Sequence, residues 1–108
     1  MSEITFKEWE NFDFRVGQIL EVNDHPKADK LYLLKVDLSE KQIQLVAGLK
    51  SFYKPKELLN QRVIVFANLE PAMIRGQKSE GMILCAEKDN IVSFLTPERE
   101  VPLGAKIR

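Results

Sequence analysis

The spacing of apolar positions changes period along the chain. Phe6, Trp9 and Phe12 recur every three residues. This spacing predicts a short N-terminal helix that presses one aromatic stripe onto the body. Thr5 and Glu8 frame its start as a capping box, with the hydroxyl aimed at the amide of residue 8 and the carboxylate back at the amide of residue 5. From Asp13 the period becomes two. Phe14, Val16, Leu20 and Val22 fall on one face of a strand, with Arg15, Ile19 and Glu21 on the other. Gly17 inside this run predicts a bulge or sharp bend, as a strand needs when it serves two sides of a small barrel. Asn23-Asp24-His25-Pro26 ends it with turn chemistry.

A second strand is predicted over 31–38 and a third over 43–47, joined by Ser39-Glu40-Lys41. So short a connection implies an antiparallel hairpin. Gly48 ends the third strand. Pro55-Lys56-Glu57-Leu58-Leu59 suits a short helix, since proline is tolerated in a first turn. Residues 62–67 form a strand with an apolar, therefore buried, centre. A long polar loop, 68–80, leads to a fifth strand over 81–87. Lys88-Asp89-Asn90 then turns into a further strand over 91–95. Three strands, a short helix and two more strands are the order of an all-β, five-stranded OB-fold barrel, here with an added N-terminal helix and a C-terminal extension. An immunoglobulin-like sandwich would need about seven strands and no helix.

The length of 108 residues suits one domain spanning 1–108. Hydrophobic residues at 44% and charged residues at 30% match an ordinary globular chain. The longest apolar runs, 63–67 and 82–86, are far too short for a membrane span. No signal peptide is visible, and the single Cys85 cannot form an internal disulfide, so a cytoplasmic location is expected.

The formal net charge is zero, which by itself argues against a nucleic-acid binder. Its distribution changes that picture. Residues 1–24 carry two bases against six acids, residues 25–81 ten bases against six acids, and the remainder is balanced. A fold that keeps these segments apart would be electrically polarised.

Chemistry for catalysis is missing. One histidine permits no histidine cluster or triad, and no CxxC, Walker loop, GxGxxG or GxSxG occurs. Cys85 lies in an apolar strand and reads as a buried thiol. We therefore expect no enzyme, no cofactor and no metal site. His25 reads as a turn residue, or as a ring able to stack on a base.

Two loops carry chemistry for binding. His25-Pro26-Lys27-Ala28-Asp29-Lys30-Leu31 joins the first two strands, and residues 68–82 join the fourth and fifth. In an OB barrel these loops flank one face, the usual nucleic-acid site. Each carries two bases: Lys27 and Lys30, and Arg75 and Lys78. Phosphates need such donors, and the Arg75 guanidinium can grip one with two nitrogens. Gly76 and Gly81 permit close backbone approach. Ser79 offers a hydroxyl to phosphate or ribose.

Several separated motifs resemble one family. Asp13-Phe14-Arg15-Val16-Gly17 and His25-Pro26-Lys27-Ala28-Asp29-Lys30-Leu31-Tyr32 match its opening signature. Val46-Ala47-Gly48-Leu49 and Asn68-Leu69-Glu70-Pro71, followed by Arg75-Gly76, Ser79 and Gly81-Met82, match its later one. Leu95-Thr96-Pro97 and Val101-Pro102-Leu103-Gly104 resemble its tail. This is the tRNA-binding domain found at the C-terminus of many methionyl-tRNA synthetases, in stand-alone bacterial tRNA-binding proteins and in endothelial monocyte-activating polypeptide.

The resemblance implies an OB fold, structure-selective tRNA binding and, for free-standing members, a homodimer. It places Lys30, Arg75, Ser79 and Met82 on the RNA-binding surface, to which charge and position add Lys27 and Lys78. Met82 also opens an apolar strand, which leaves core packing as its other role. By the same resemblance, residues 88–108, with the N-terminal helix, would build a twofold interface. Packing of the tail within the chain is the alternative. The expected function is non-catalytic tRNA binding in trans, assisting a methionyl-tRNA synthetase. The alternatives are a peptide-binding secretion chaperone of the same fold and a module that docks a synthetase.

Overall fold

The computed structural model describes residues 2–108. A short helix, α1 (Phe6–Trp9), precedes three long strands, β1 (Phe14–Asp24), β2 (Tyr32–Asp37) and β3 (Gln42–Ala47). Helix α2 (Pro55–Leu58) then leads to β4 (Arg62–Phe66). Five short strands follow: β5 (Ala72–Ile74), β6 (Gln77–Ser79), β7 (Met82–Ile83), β8 (Cys85–Lys88) and β9 (Ile91–Phe94). One sheet has the order β3-β2-β1-β4-β7, with every pairing antiparallel, while β5–β6 and β8–β9 are separate hairpins. The result is a nearly closed five-stranded barrel of the OB type.

The core fills the barrel from alternate positions of each strand. Ile19, Leu34, Val36, Leu45, Val63 and Val65 are fully buried, and Leu58 of α2 plugs one end. Ile19 departs from the face expected of it. The register of β1 against β2 slips between Ile19 and Glu21, so Leu20 is the extra residue of a bulge. Ile19 lies in the central cluster, which does not include the buried Val16, and beyond the slip Val22 packs against that cluster, while Leu20 is only half-buried. Gly17 serves a different need: a Cβ there would lie 2.6 Å from Val36 Cγ1. The glycine lets β2 cross close over β1.

The last seam of the barrel is stitched largely by side chains. Glu80 N–H donates to Gln44 O (2.8 Å), and Gln44 N–H donates to the Glu80 carboxylate (2.8 Å). Val46 N–H donates to Ser79 Oγ (3.1 Å), and Gln44 Nε2 donates to Lys78 O (2.8 Å). These bonds join β3 to the end of β6 and to Glu80 just after it, where no continuous ladder runs.

The capping box forms as expected, with Thr5 N–H donating to Glu8 Oε1 (3.2 Å) and Glu8 N–H to Thr5 Oγ1 (3.1 Å). The aromatic stripe is only partly engaged. Trp9 and Phe12 pack with Phe14 and Phe66, their ring centroids 4.8–6.3 Å apart across the cluster. Phe6 instead stays 73% exposed, because a helix of four residues turns too little to lay all three rings on the body.

The tail splits into two parts. β8 and β9 form a hairpin whose two-residue turn, Asp89-Asn90, has φ of 53° and 64°. Further on, Gly104 N–H donates to Val16 O, Val16 N–H to Ala105 O and Ile107 N–H to Phe14 O. The chain end thus covers the half of β1 that β2 leaves unpaired. Residues 104–107 pack within the chain, while Ile91 and Leu95 of the hairpin region remain exposed.

Candidate nucleic-acid interface

The loop expected over 68–80 contains a hairpin. Ala72 pairs with Ser79, Met73 with Lys78 and Ile74 with Gln77. Arg75 (φ 51°) and Gly76 (φ 86°) form its turn, both left-handed, which matches the twist of the flanking strands. A non-glycine residue in that region costs on the order of 1 kcal/mol. Asparagine or glycine is the usual occupant of such a position.

The turn reaches the β1–β2 loop. Lys27, Ala28, Asp29, Lys30, Leu31 and Arg75 line an open cleft of about 300 Å³. Three cations and one carboxylate meet there, drawn from loops separated by more than forty residues. Arg75 Nη1 donates to Lys27 O (2.9 Å), which fixes the guanidinium over the loop and leaves its other nitrogens for a ligand. The β1–β2 loop is itself tied down. His25 N–H donates to Leu31 O (3.1 Å), and Lys27 N–H donates to His25 Nδ1 (2.9 Å). Beside it, Lys50 Nζ pairs with Asp24 at 3.1 Å.

The other expected site residues lie elsewhere. Lys78 is exposed on the same hairpin, 3.9 Å from a Glu80 carboxylate oxygen, and does not line the cleft. Ser79 is 5% exposed. Its hydroxyl accepts from Val46 N–H and donates to Gly81 O (3.0 Å), so its bonding is spent on closing the barrel. Met82 begins β7 but is 52% exposed, so it is not core. His25 is 4% exposed with both ring nitrogens engaged, which removes base stacking as its role. Met73 went unmarked in the sequence. It is 67% exposed and sits opposite Lys78 in the hairpin register. Ala72-Met73-Ile74 is apolar throughout, so the sequence carries no alternation that marks Met73 as the exposed one.

A larger groove of about 370 Å³ runs along the outer face of β1, β2 and β3, lined by Glu21, Asn23, Leu33, Lys35, Gln44 and Glu80 among others. Its one lysine is paired with Glu21 at 3.3 Å. This face carries no surplus of positive charge, so the smaller cleft is the better phosphate site despite its size.

Cys85 is half-buried, and burial first, then the Glu87 charge, pushes its thiol up, which makes it less nucleophilic. Among the described residues, no group of three or more histidine, cysteine or acidic side chains is placed to hold a metal ion, and no helix is long and apolar enough to cross a membrane.

A nearly closed OB-type barrel with a cationic cleft between two loops defines a class of nucleic-acid-binding module. Residues 14–106 match the family described as "Putative tRNA binding domain", and the chain belongs to that family. It is 54% identical over 108 residues to a methionine–tRNA ligase of Thermococcus kodakarensis, covering all of this chain and 15% of that protein. The chain thus spans about 15% of the length of the curated relatives it matches first. Two solved structures are also similar. A methionyl-tRNA-synthetase-related protein from Pyrococcus horikoshii superposes with a TM-score of 0.93 at 28% identity, covering 100% of both chains. A CsaA chaperone protein from Picrophilus torridus does so with a TM-score of 0.91 at 33% identity, covering 98% of this chain and 100% of that one.

Proposed function

We propose that this chain binds tRNA in trans, selecting for folded tRNA, and assists a methionyl-tRNA synthetase without catalysis of its own. The observation that carries this reading is the cleft in which Arg75 is held over Lys27 and Lys30. A phosphate there meets three cations, one of them a planar fork suited to two parallel bonds. The left-handed backbone at Arg75 supports the same reading. A strained turn position given to a long cation, where asparagine would be easier, is the kind of local cost that functional sites carry. Lys78 and Met82 extend the surface along the hairpin and β7, with Ser79 as the residue that mounts the hairpin. The family supports tRNA as the ligand, and the names of the longer relatives support the synthetase as partner. Two copies joined through the N-terminal helix and the β8–β9 region would present two clefts to one bent RNA. The cytoplasm is where such a ligand is met.

Filter binding of whole tRNA, an unstructured RNA and a plain RNA duplex across a salt series tests this reading. Whole tRNA should bind tightest, and log affinity should fall linearly with log salt at about 0.7–0.9 per phosphate contact. Equal affinity for all three RNAs would reduce the activity to generic polyanion binding. The similarity to the CsaA chaperone protein favours a second reading, peptide binding. Exposed Met73 and Met82 would supply its apolar contacts, and unfolded polypeptide would then displace RNA.

A further inference from the structure

The cleft is assembled from two distant loops, and two side-chain hydrogen bonds cross between them. One is Arg75 Nη1 to Lys27 O. The other comes from His25, whose ring lies 3.0 Å from Ile74 O through Nε2. His25 Nδ1 accepts the Lys27 N–H, so the ring hydrogen sits on Nε2 and is donated to Ile74 O. The ring is buried, yet it is not part of the apolar cluster that fills the barrel. Its partners are the backbone just before Arg75 and the backbone of Lys27.

We propose that His25 is a positioning residue for RNA binding: its ring clamps the turn of the β5–β6 hairpin onto the β1–β2 loop and so sets the spacing of Arg75 from Lys27 and Lys30. The proposal rests on the tRNA-binding reading of the cleft and deepens it. The base of the hairpin is held independently, through Ser79, Lys78 O and Glu80 to β3. The turn has no such anchor. Without His25, the guanidinium of Arg75 would be the one side-chain tie across the cleft, and the same guanidinium must also meet the ligand. A phosphate that drew Arg75 off Lys27 O would then release the turn. With His25 in place, Arg75 can exchange Lys27 O for phosphate while the turn stays docked. The clamp therefore reduces the ordering that binding must otherwise impose on the loop.

Two substitutions separate the two ends of the ring. His25→Asn keeps an acceptor where Nδ1 was and is too short to reach Ile74 O. His25→Gln places an N–H donor near the Nε2 position and loses the acceptor. Filter binding of unfractionated tRNA should show H25N about tenfold weaker than wild type, with the same salt slope because no cation is removed. H25Q should stay within about threefold of wild type, because the cross-loop bond is restored. Amide hydrogen exchange at Arg75, Gly76 and Gln77 should quicken in H25N and not in H25Q. Equal losses in both variants, unchanged binding in H25N, or collapse of the H25N barrel would overturn the proposal. If wild-type chain fails to bind tRNA, the functional reading falls by itself. The exchange measurement then still decides the clamp, which unchanged rates in H25N would refute.

Discussion

β1 runs between two ends of the molecule that are held by different physics. At its start, Phe14 joins Trp9, Phe12 and Phe66 in a cluster of rings. At its finish, roughly 30 Å away for an extended strand of this length, His25 and the basic loop are held by directed hydrogen bonds. The ring end gains stability from apolar area, which is tolerant of small shifts. The loop end buries little and gains position instead. Stability and binding should therefore respond to mutation at opposite ends of one strand.

The largest expected effect tests the ring end. Phe66→Ala removes the ring that meets both Phe12 and Phe14, and should cost about 3 kcal/mol in urea unfolding. The tRNA affinity of the protein that remains folded should not change; a parallel loss of affinity would break the separation. Next comes Lys30→Ala with Arg75→Ala. Removing two charge-assisted bonds to phosphate should weaken tRNA binding ~100-fold and flatten the salt slope by about 1.4–1.8, with the melting temperature held. Undiminished binding would remove the cleft as the site.

Ser79→Ala is a smaller change that sharpens the comparison, because Ser79 sits in the hairpin but works for the barrel. Leaving Val46 N–H without its acceptor should cost about 1 kcal/mol of stability, and affinity should fall little. A loss of affinity as large as that of the double variant, at unchanged stability, would return Ser79 to direct RNA contact. The smallest effect belongs to Cys85. A thiol pushed up in the folded chain keeps its proton where the unfolded thiol, near pH 8.5, has lost it. Stability is thus full below that pH, declines as pH rises towards the folded value and levels above it. Cys85→Ala should flatten this alkaline decline in a pH series of unfolding curves.

What could be read from the sequence was mostly local. Thr5 and Glu8 state a capping box within four residues, and the structure has it. Strand order followed from alternation and turns, and so did the barrel. The face of Ile19 did not, because Val16 is buried outside the central cluster that Ile19 enters, so both faces of β1 carry apolar residues. The hairpin within 68–80 was missed because strands of three residues carry too little alternation to stand out beside Pro71. At the site, charge pointed to Lys27, Lys30 and Arg75, and the cleft brings them together. Ser79 looked like a ligand contact because polarity is visible in a sequence and barrel closure is not. The two-ended use of His25 depends on Ile74, 49 positions further along the chain, and no local pattern announces it.

The seam between β3 and the β6–β7 segment has a consequence for assembly. The amides of Gln44 and Val46 find their acceptors in Glu80 and Ser79, the residues at the root of the Arg75 hairpin. An unfinished barrel thus leaves two strand amides bare and also leaves its cationic arm unmounted. Closing the barrel and mounting the hairpin that carries Arg75 thus draw on the same bonds.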